Sequence, residues 1–134
     1  MRFDIVTLYP EMLRPLFSQG VLLGAQEKGL IQIHLHDLAA FSPHGRAVVD
    51  DRPFGGGAGM VMRPEPFFRA MDAITKEVGK RPYVILLSAQ GVLFTQQLAK
   101  ELARKEAVVL LCGRYEGVDE RVARASDLEL SIGD

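Results

Sequence analysis

The stretch Val108-Val109-Leu110-Leu111-Cys112-Gly113-Arg114-Tyr115-Glu116-Gly117-Val118-Asp119-Glu120-Arg121 decides how the rest of the chain is read. Four apolar residues, a small thiol and a glycine give way at once to an arginine, a tyrosine and a glutamate. A second glycine then precedes an acidic, helix-like start. This is the pattern of a buried strand, a polar loop and a helix. In open α/β sheets ligands settle at the carboxyl ends of such strands, where a glycine lets the backbone come close to them. The loop 113–117 is therefore a candidate binding site, although an ordinary strand-to-helix turn has the same spacing.

Working outward, a short helix over 118–125 leads to a strand over 127–132, and Gly133-Asp134 opens another loop of the same kind. On the amino-terminal side the unit occurs once more. Tyr83-Val84-Ile85-Leu86-Leu87 is a continuous apolar run, as expected of a buried parallel strand. Ser88-Ala89-Gln90-Gly91 makes its polar loop, and Thr95 caps a helix through Lys105 with Leu98, Leu102 and Ala103 inward. Lys100, Glu101, Arg104 and Lys105 then form a solvated face. Pro64 and Pro66 suit a helix start, and Phe67, Phe68, Met71, Ile74 and Val78 continue at helical spacing until Gly79.

At the amino terminus, 3–8 reads as a strand, and Pro10 and Glu11 open a helix with Met12, Leu13, Leu16 and Phe17 on one side. A second short helix ends at Gly29. Residues 30–36 alternate as a strand with Ile31, Ile33 and Leu35 on its apolar face. About five strands alternating with helices predict an α/β fold, a mainly parallel sheet with helices on both faces. The loops 88–91, 113–117 and 132 onward should share one edge of it.

Residues 39–62 keep no periodicity, and a long structureless loop in a compact domain is usually functional or mobile. Its run Arg52-Pro53-Phe54-Gly55-Gly56-Gly57-Ala58-Gly59-Met60 lacks the Gly-Lys-Ser/Thr ending of a Walker motif. It suits close approach of backbone to an RNA or nucleotide, and equally a flexible linker. Met60, Met62 and Met71 read as core filler. His34 and His36 share a strand face, but without a third ligand they read as solvated or structural.

A chain of 134 residues fits one domain, and 48% hydrophobic with 25% charged residues is the balance of a soluble globular protein. A formal net charge of −1 excludes a uniformly basic surface, so any nucleic-acid contact must come from local arginines. The single Cys112 excludes an internal disulfide and a thiolate zinc motif, which fits a reducing compartment. Asp4 interrupts what would be a signal peptide, and no apolar run approaches the roughly 20 residues of a membrane span. The expected setting is cytoplasmic, with no membrane partner.

Five stretches carry a resemblance: Phe3-Asp4-Ile5-Val6-Thr7-Leu8-Tyr9-Pro10-Glu11-Met12, residues 50–60, Leu87-Ser88-Ala89-Gln90-Gly91, residues 111–121, and Ser131-Ile132-Gly133-Asp134. Together, in order and over essentially the whole chain, they closely resemble the bacterial tRNA (guanine-N(1))-methyltransferases of the SPOUT class. The resemblance implies a cofactor site in a trefoil knot built from strand-end loops. It also implies methylation by S-adenosylmethionine of the ring nitrogen N(1) of the tRNA guanosine 3′ to the anticodon, and a homodimer.

On this resemblance the cofactor would lie among Leu87, Ser88, Gln90, Gly113, Tyr115, Glu116, Gly117, Ile132, Gly133 and Asp134. Glu116 would complement the sulfonium or help hold a magnesium ion. Arg46, Asp50, Arg52, Gly59 and Arg114 would sit near substrate RNA, with Arg114, Asp50 and Glu116 as auxiliary residues in catalysis. The family's general base, an aspartate beyond the knot contributed by the other subunit, has no counterpart here, and Asp134 is not that residue. Residues 1–134 are thus expected to be an amino-terminal SPOUT domain stopping in the third cofactor loop. The helical tRNA-binding domain would be absent, the knot incomplete and methyl transfer impaired. Ala58 and Ala89 stand where the family often has proline, and Phe54 where it often has tyrosine. Two rival readings stay open: a generic nucleotide-binding α/β enzyme and a non-catalytic RNA-binding module.

Overall fold

The computed structural model describes residues 1–43, 63–113 and 118–133. Five parallel strands form one sheet: β1 (Arg2–Thr7), β2 (Gln32–Asp37), β3 (Tyr83–Leu93), β4 (Ala107–Cys112) and β5 (Leu128–Ser131). Their spatial order is β2-β1-β4-β3-β5, so β1, β4 and β3 lie inside the sheet and β2 and β5 at its edges. The inner strands are the apolar ones. Val6, Val84, Leu86, Val109 and Leu111 are buried toward one face, and Ile85 and Val108 toward the other.

Among the described residues the helices are α1 (Pro10–Phe17), α2 (Gly20–Glu27), α3 (Glu65–Val78), α4 (Gln96–Leu102) and α5 (Glu120–Ala125). Phe67, Ala70 and Ile74 of α3 and Val122 of α5 close the first face, with Met71 packed at the margin of that core. Leu98 and Leu102 of α4 pack over the second with Ile85, Val108 and Leu130. The expected α/β sheet of five parallel strands with helices on both faces is what forms. Helix α3 ends at Gly79, as the spacing requires, and the Thr95 hydroxyl caps α4 by accepting from the Leu98 amide at 3.1 Å.

Four details differ from expectation. Strand β3 does not stop at Leu87: the chain leaves the ladder there and rejoins it at Val92, both residues facing Leu130 of β5, so 88–91 is an excursion within a longer strand. Helix α4 ends at Leu102, three residues short of Lys105, which stays exposed with its ammonium 4.6 Å over the Tyr83 ring. Helix α5 begins at Glu120, because Asp119 serves as its cap and accepts from the Arg121 amide at 2.9 Å. A single 3₁₀ turn, Leu38–Phe41, follows β2; the Asp37 carboxylate accepts from the Ala39 amide at 3.0 Å, and Leu38 is fully buried. The glycine-rich run, Met60 and Met62 lie outside the described residues.

His36 is a structural histidine. Its Nε2 lies 2.7 Å from Asp4 Oδ1 in the middle of the sheet, and Arg2 Nε lies 2.8 Å from Asp4 Oδ2. Asp4 has no solvent exposure at all. Burial alone would raise its carboxyl, but hydrogen bonds from His36 and Arg2 outweigh that and hold it below the usual carboxylate range.

Candidate functional site

The carboxyl ends of β3, β4 and β5 meet at one edge of the sheet, as the strand-loop-helix repeat implies. They line a cavity of about 1060 Å³, large enough for a nucleoside-sized ligand. Leu87, Ser88 and Gln90 of β3 line it, with Gly113 after neighbouring β4 and Ser131, Ile132 and Gly133 at the end of β5 on the other side of β3. Six residues named from the sequence as cofactor contacts, Leu87, Ser88, Gln90, Gly113, Ile132 and Gly133, are thus brought to one place. Tyr115, Glu116, Gly117 and Asp134 lie outside the described residues, as do Arg46, Asp50, Arg52, Gly59 and Arg114.

Two walls use the same local device. The Ser88 hydroxyl accepts from the Gln90 amide at 3.1 Å, and the Ser131 hydroxyl from the Gly133 amide at 3.2 Å. Such serine turns interrupt or end a ladder by giving the backbone an alternative hydrogen bond. Gly133 sits at φ +93°, a conformation side chains rarely adopt.

The walls are also pinned to each other. A β-carbon at Gly91 would lie 2.5 Å from the Glu129 carbonyl and the Leu130 nitrogen, so the two backbones touch where the excursion closes. Three residues on, the Phe94 amide donates to the Ser131 carbonyl at 2.8 Å. At the start of β5 the Asp127 carboxylate accepts from the Val84 amide at 2.8 Å and from Arg81 at 2.7 Å. Burial raises the Asp127 carboxyl, but Arg81 and the Val84 amide bring it below its ordinary value.

Among the described residues, charge at the cavity comes from Glu120, Arg124 and Glu129, none of which was named from the sequence as a site residue. Glu120 and Arg124 lie 3.7 Å apart on the exposed side of α5. Glu129 was recoverable from alternation alone: in Leu128-Glu129-Leu130-Ser131 the leucines take the core face, so Glu129 and Ser131 share the other. Beside the cavity, burial pushes the Cys112 thiol up to about 11, which leaves it a packing residue and a poor nucleophile. No three histidine, cysteine, aspartate or glutamate residues are grouped to hold a metal among the described residues, and Glu116 is not one of these. Among the same residues no helix is long and apolar enough to cross a membrane.

The family profile described as tRNA (Guanine-1)-methyltransferase TrmD matches residues 1–134. The chain belongs to that family. It is 49% identical over 134 residues to the tRNA (guanine-N(1)-)-methyltransferase of Dictyoglomus turgidum and 50% over 137 residues to that of Pelotomaculum thermopropionicum. All of this chain is covered in both comparisons but only 54% of each relative, so it spans about half the length of the curated relatives it matches. Among solved structures it superposes on the tRNA (m1G37) methyltransferase of Aquifex aeolicus with a TM-score of 0.88 and 40% identity, covering 100% of this chain and 60% of that one. With 40% identity behind it, that likeness supports the family as well as the five-stranded SPOUT fold.

Proposed function

We infer that residues 1–134 are the amino-terminal, cofactor-holding part of an enzyme that transfers a methyl group from S-adenosylmethionine to N(1) of the guanosine 3′ to the anticodon of tRNA. The observation that carries this reading is the convergence of three strand-end loops, through Leu87–Gln90, Gly113 and Ser131–Gly133, on one cavity in a chain of this family.

The residues present fit the cofactor. Adenine and ribose need backbone hydrogen bonds at short range, and Gly113 and Gly133 on the cavity lining leave backbone uncovered by side chains. Ser88 and Gln90 add polar groups, Leu87 and Ile132 apolar cover, and Glu129 a negative charge. When bound, S-adenosylmethionine supplies an electrophilic methyl group. The chain's own residues hold and orient it, and they narrow the space from which water could compete. Tyr115, Glu116, Gly117 and Asp134 belong to the same proposed site. Glu116 is the residue proposed toward magnesium.

Arg46, Asp50, Arg52, Gly59 and Arg114 are proposed for the RNA, since arginines pair bidentately with phosphate or guanine edges. The homodimer and the cytoplasmic setting rest on the family resemblance. Calorimetric titration of the chain with S-adenosylmethionine, ATP and NAD tests the cofactor reading. Saturable binding of the first, with neither of the others competing, is expected. Binding of ATP or NAD in its place would support a generic nucleotide enzyme and defeat it.

A further inference from the structure

We propose that Glu129 makes the cavity prefer the cationic methyl donor over the neutral thioether left after transfer. The inference rests on the cofactor reading above and deepens it. Glu129 lies in β5 opposite Leu86, on the sheet face that carries α5, and lines the cavity while half-buried. Its strand neighbours Leu128 and Leu130 are fixed in the core of the opposite face, so the acid cannot exchange places with them. Other acids nearby have cationic partners: Glu120 has Arg124 at 3.7 Å, and Asp127 has Arg81 at 2.7 Å. Among the described residues, no hydrogen bond or ion pair ends on the Glu129 carboxylate. Glu129 therefore presents an unpaired carboxylate to the cavity.

The missing partner should be a cation that enters the cavity. Because Glu120 and Arg124 offset each other, Glu129 leaves the described lining one negative charge in excess. A sulfonium has no hydrogen to donate, so it is recognised through its charge, and that attraction strengthens away from bulk water. Methyl transfer forms the N(1)–CH₃ bond as the N(1) proton is lost to a base or solvent, breaks the S–CH₃ bond and leaves its electron pair on sulfur. The sulfur becomes neutral, the attraction to Glu129 ends, and the product loses its hold relative to fresh donor.

S-adenosylmethionine and S-adenosylhomocysteine share the nucleoside, the ammonium and the carboxylate, so comparing their affinities isolates the charge at sulfur. In titrations at low salt, Glu129→Gln should weaken S-adenosylmethionine about tenfold. S-adenosylhomocysteine binding should stay within about twofold, which also reports an intact cavity. Glu129→Asp, which keeps the charge, should retain the preference for the donor. Equal losses for both ligands, no loss for either, or loss of the preference in Glu129→Asp would overturn the proposal. Failure of unaltered chain to bind either ligand would instead defeat the cofactor reading itself, a result distinct from any of these.

Discussion

Gly91 shows how one missing side chain sets the shape of the site. A β-carbon there would meet the carbonyl carbon and oxygen of Glu129 and the nitrogen of Leu130, each at 2.5 Å. All three are backbone atoms, so no rotamer change relieves the clash. At Gly113 the nearest obstacle is the Val118 Cγ1 at 2.7 Å, a stiff side chain but one that can shift. Gly91→Ala should therefore cost about 1–3 kcal/mol in urea unfolding, the range for forced overpacking, and Gly113→Ala less. The larger effect is on the ligand, because separating β3 from β5 moves the Ser88–Gln90 wall away from Ser131–Gly133. Titration with S-adenosylmethionine, done well below the melting temperature, should show weaker binding by Gly91→Ala. A Gly91→Ala chain as stable and as tight-binding as the parent would show that the strands can part without consequence.

Helix α4 depends on its amino-terminal cap. With seven residues it is too short to persist by propensity, and only Leu98 and Leu102 tie it to the second core. The Thr95 cap satisfies an amide that would otherwise be orphaned, so Thr95→Ala should lose about 1 kcal/mol, measured by thermal or urea unfolding. Absence of any loss would mean that water satisfies that amide equally well. This cap was legible in the sequence because capping is local: a threonine, a turn and an apolar stripe suffice. The parallel strands were legible for a different reason, since burial on both faces demands the uninterrupted apolar runs at 83–87 and 107–111. What local patterning missed depends on distant partners. The rejoining of β3 at Val92 is fixed by Leu130 some 40 residues later, and polar Ser88 and Gln90 look like a loop from either side. Asp127 anchors β5 only because Arg81 and the Val84 amide meet it. Glycine marked the three loops of the site, whereas Glu129 had only strand alternation to announce it.

Across the whole molecule, the ion cluster around Asp4 links the sheet's edge to its interior and to α3. Asp4 stands on β1, between β2 and β4, accepting from Arg2 of its own strand and lying against His36 of edge strand β2. Arg2 extends the cluster to Glu77 of α3 at 3.2 Å. Removing the buried charge leaves Arg2 and His36 facing a poorer acceptor. Breaking a buried pair costs about 3–5 kcal/mol, and the low end applies because Arg2 keeps Glu77 and His36 is partly exposed. Asp4→Asn should therefore lose about 3 kcal/mol in urea unfolding at pH 7. The sign of its pH dependence follows from the direction of the shift. The Asp4 carboxyl is lower in the folded chain than in the unfolded one, where it titrates near 3.9, so its contribution is fully present above that pH. As the pH falls through the folded value, Asp4 takes up a proton and that contribution disappears. Unfolding of parent and Asp4→Asn chains at intervals from about pH 5 down to about pH 2 should show a steady gap above the unfolded-state value near 3.9 and converging stabilities below it. A gap that stays constant over that range would mean that packing, rather than the charge on Asp4, joins β2 and α3 to the centre of the sheet.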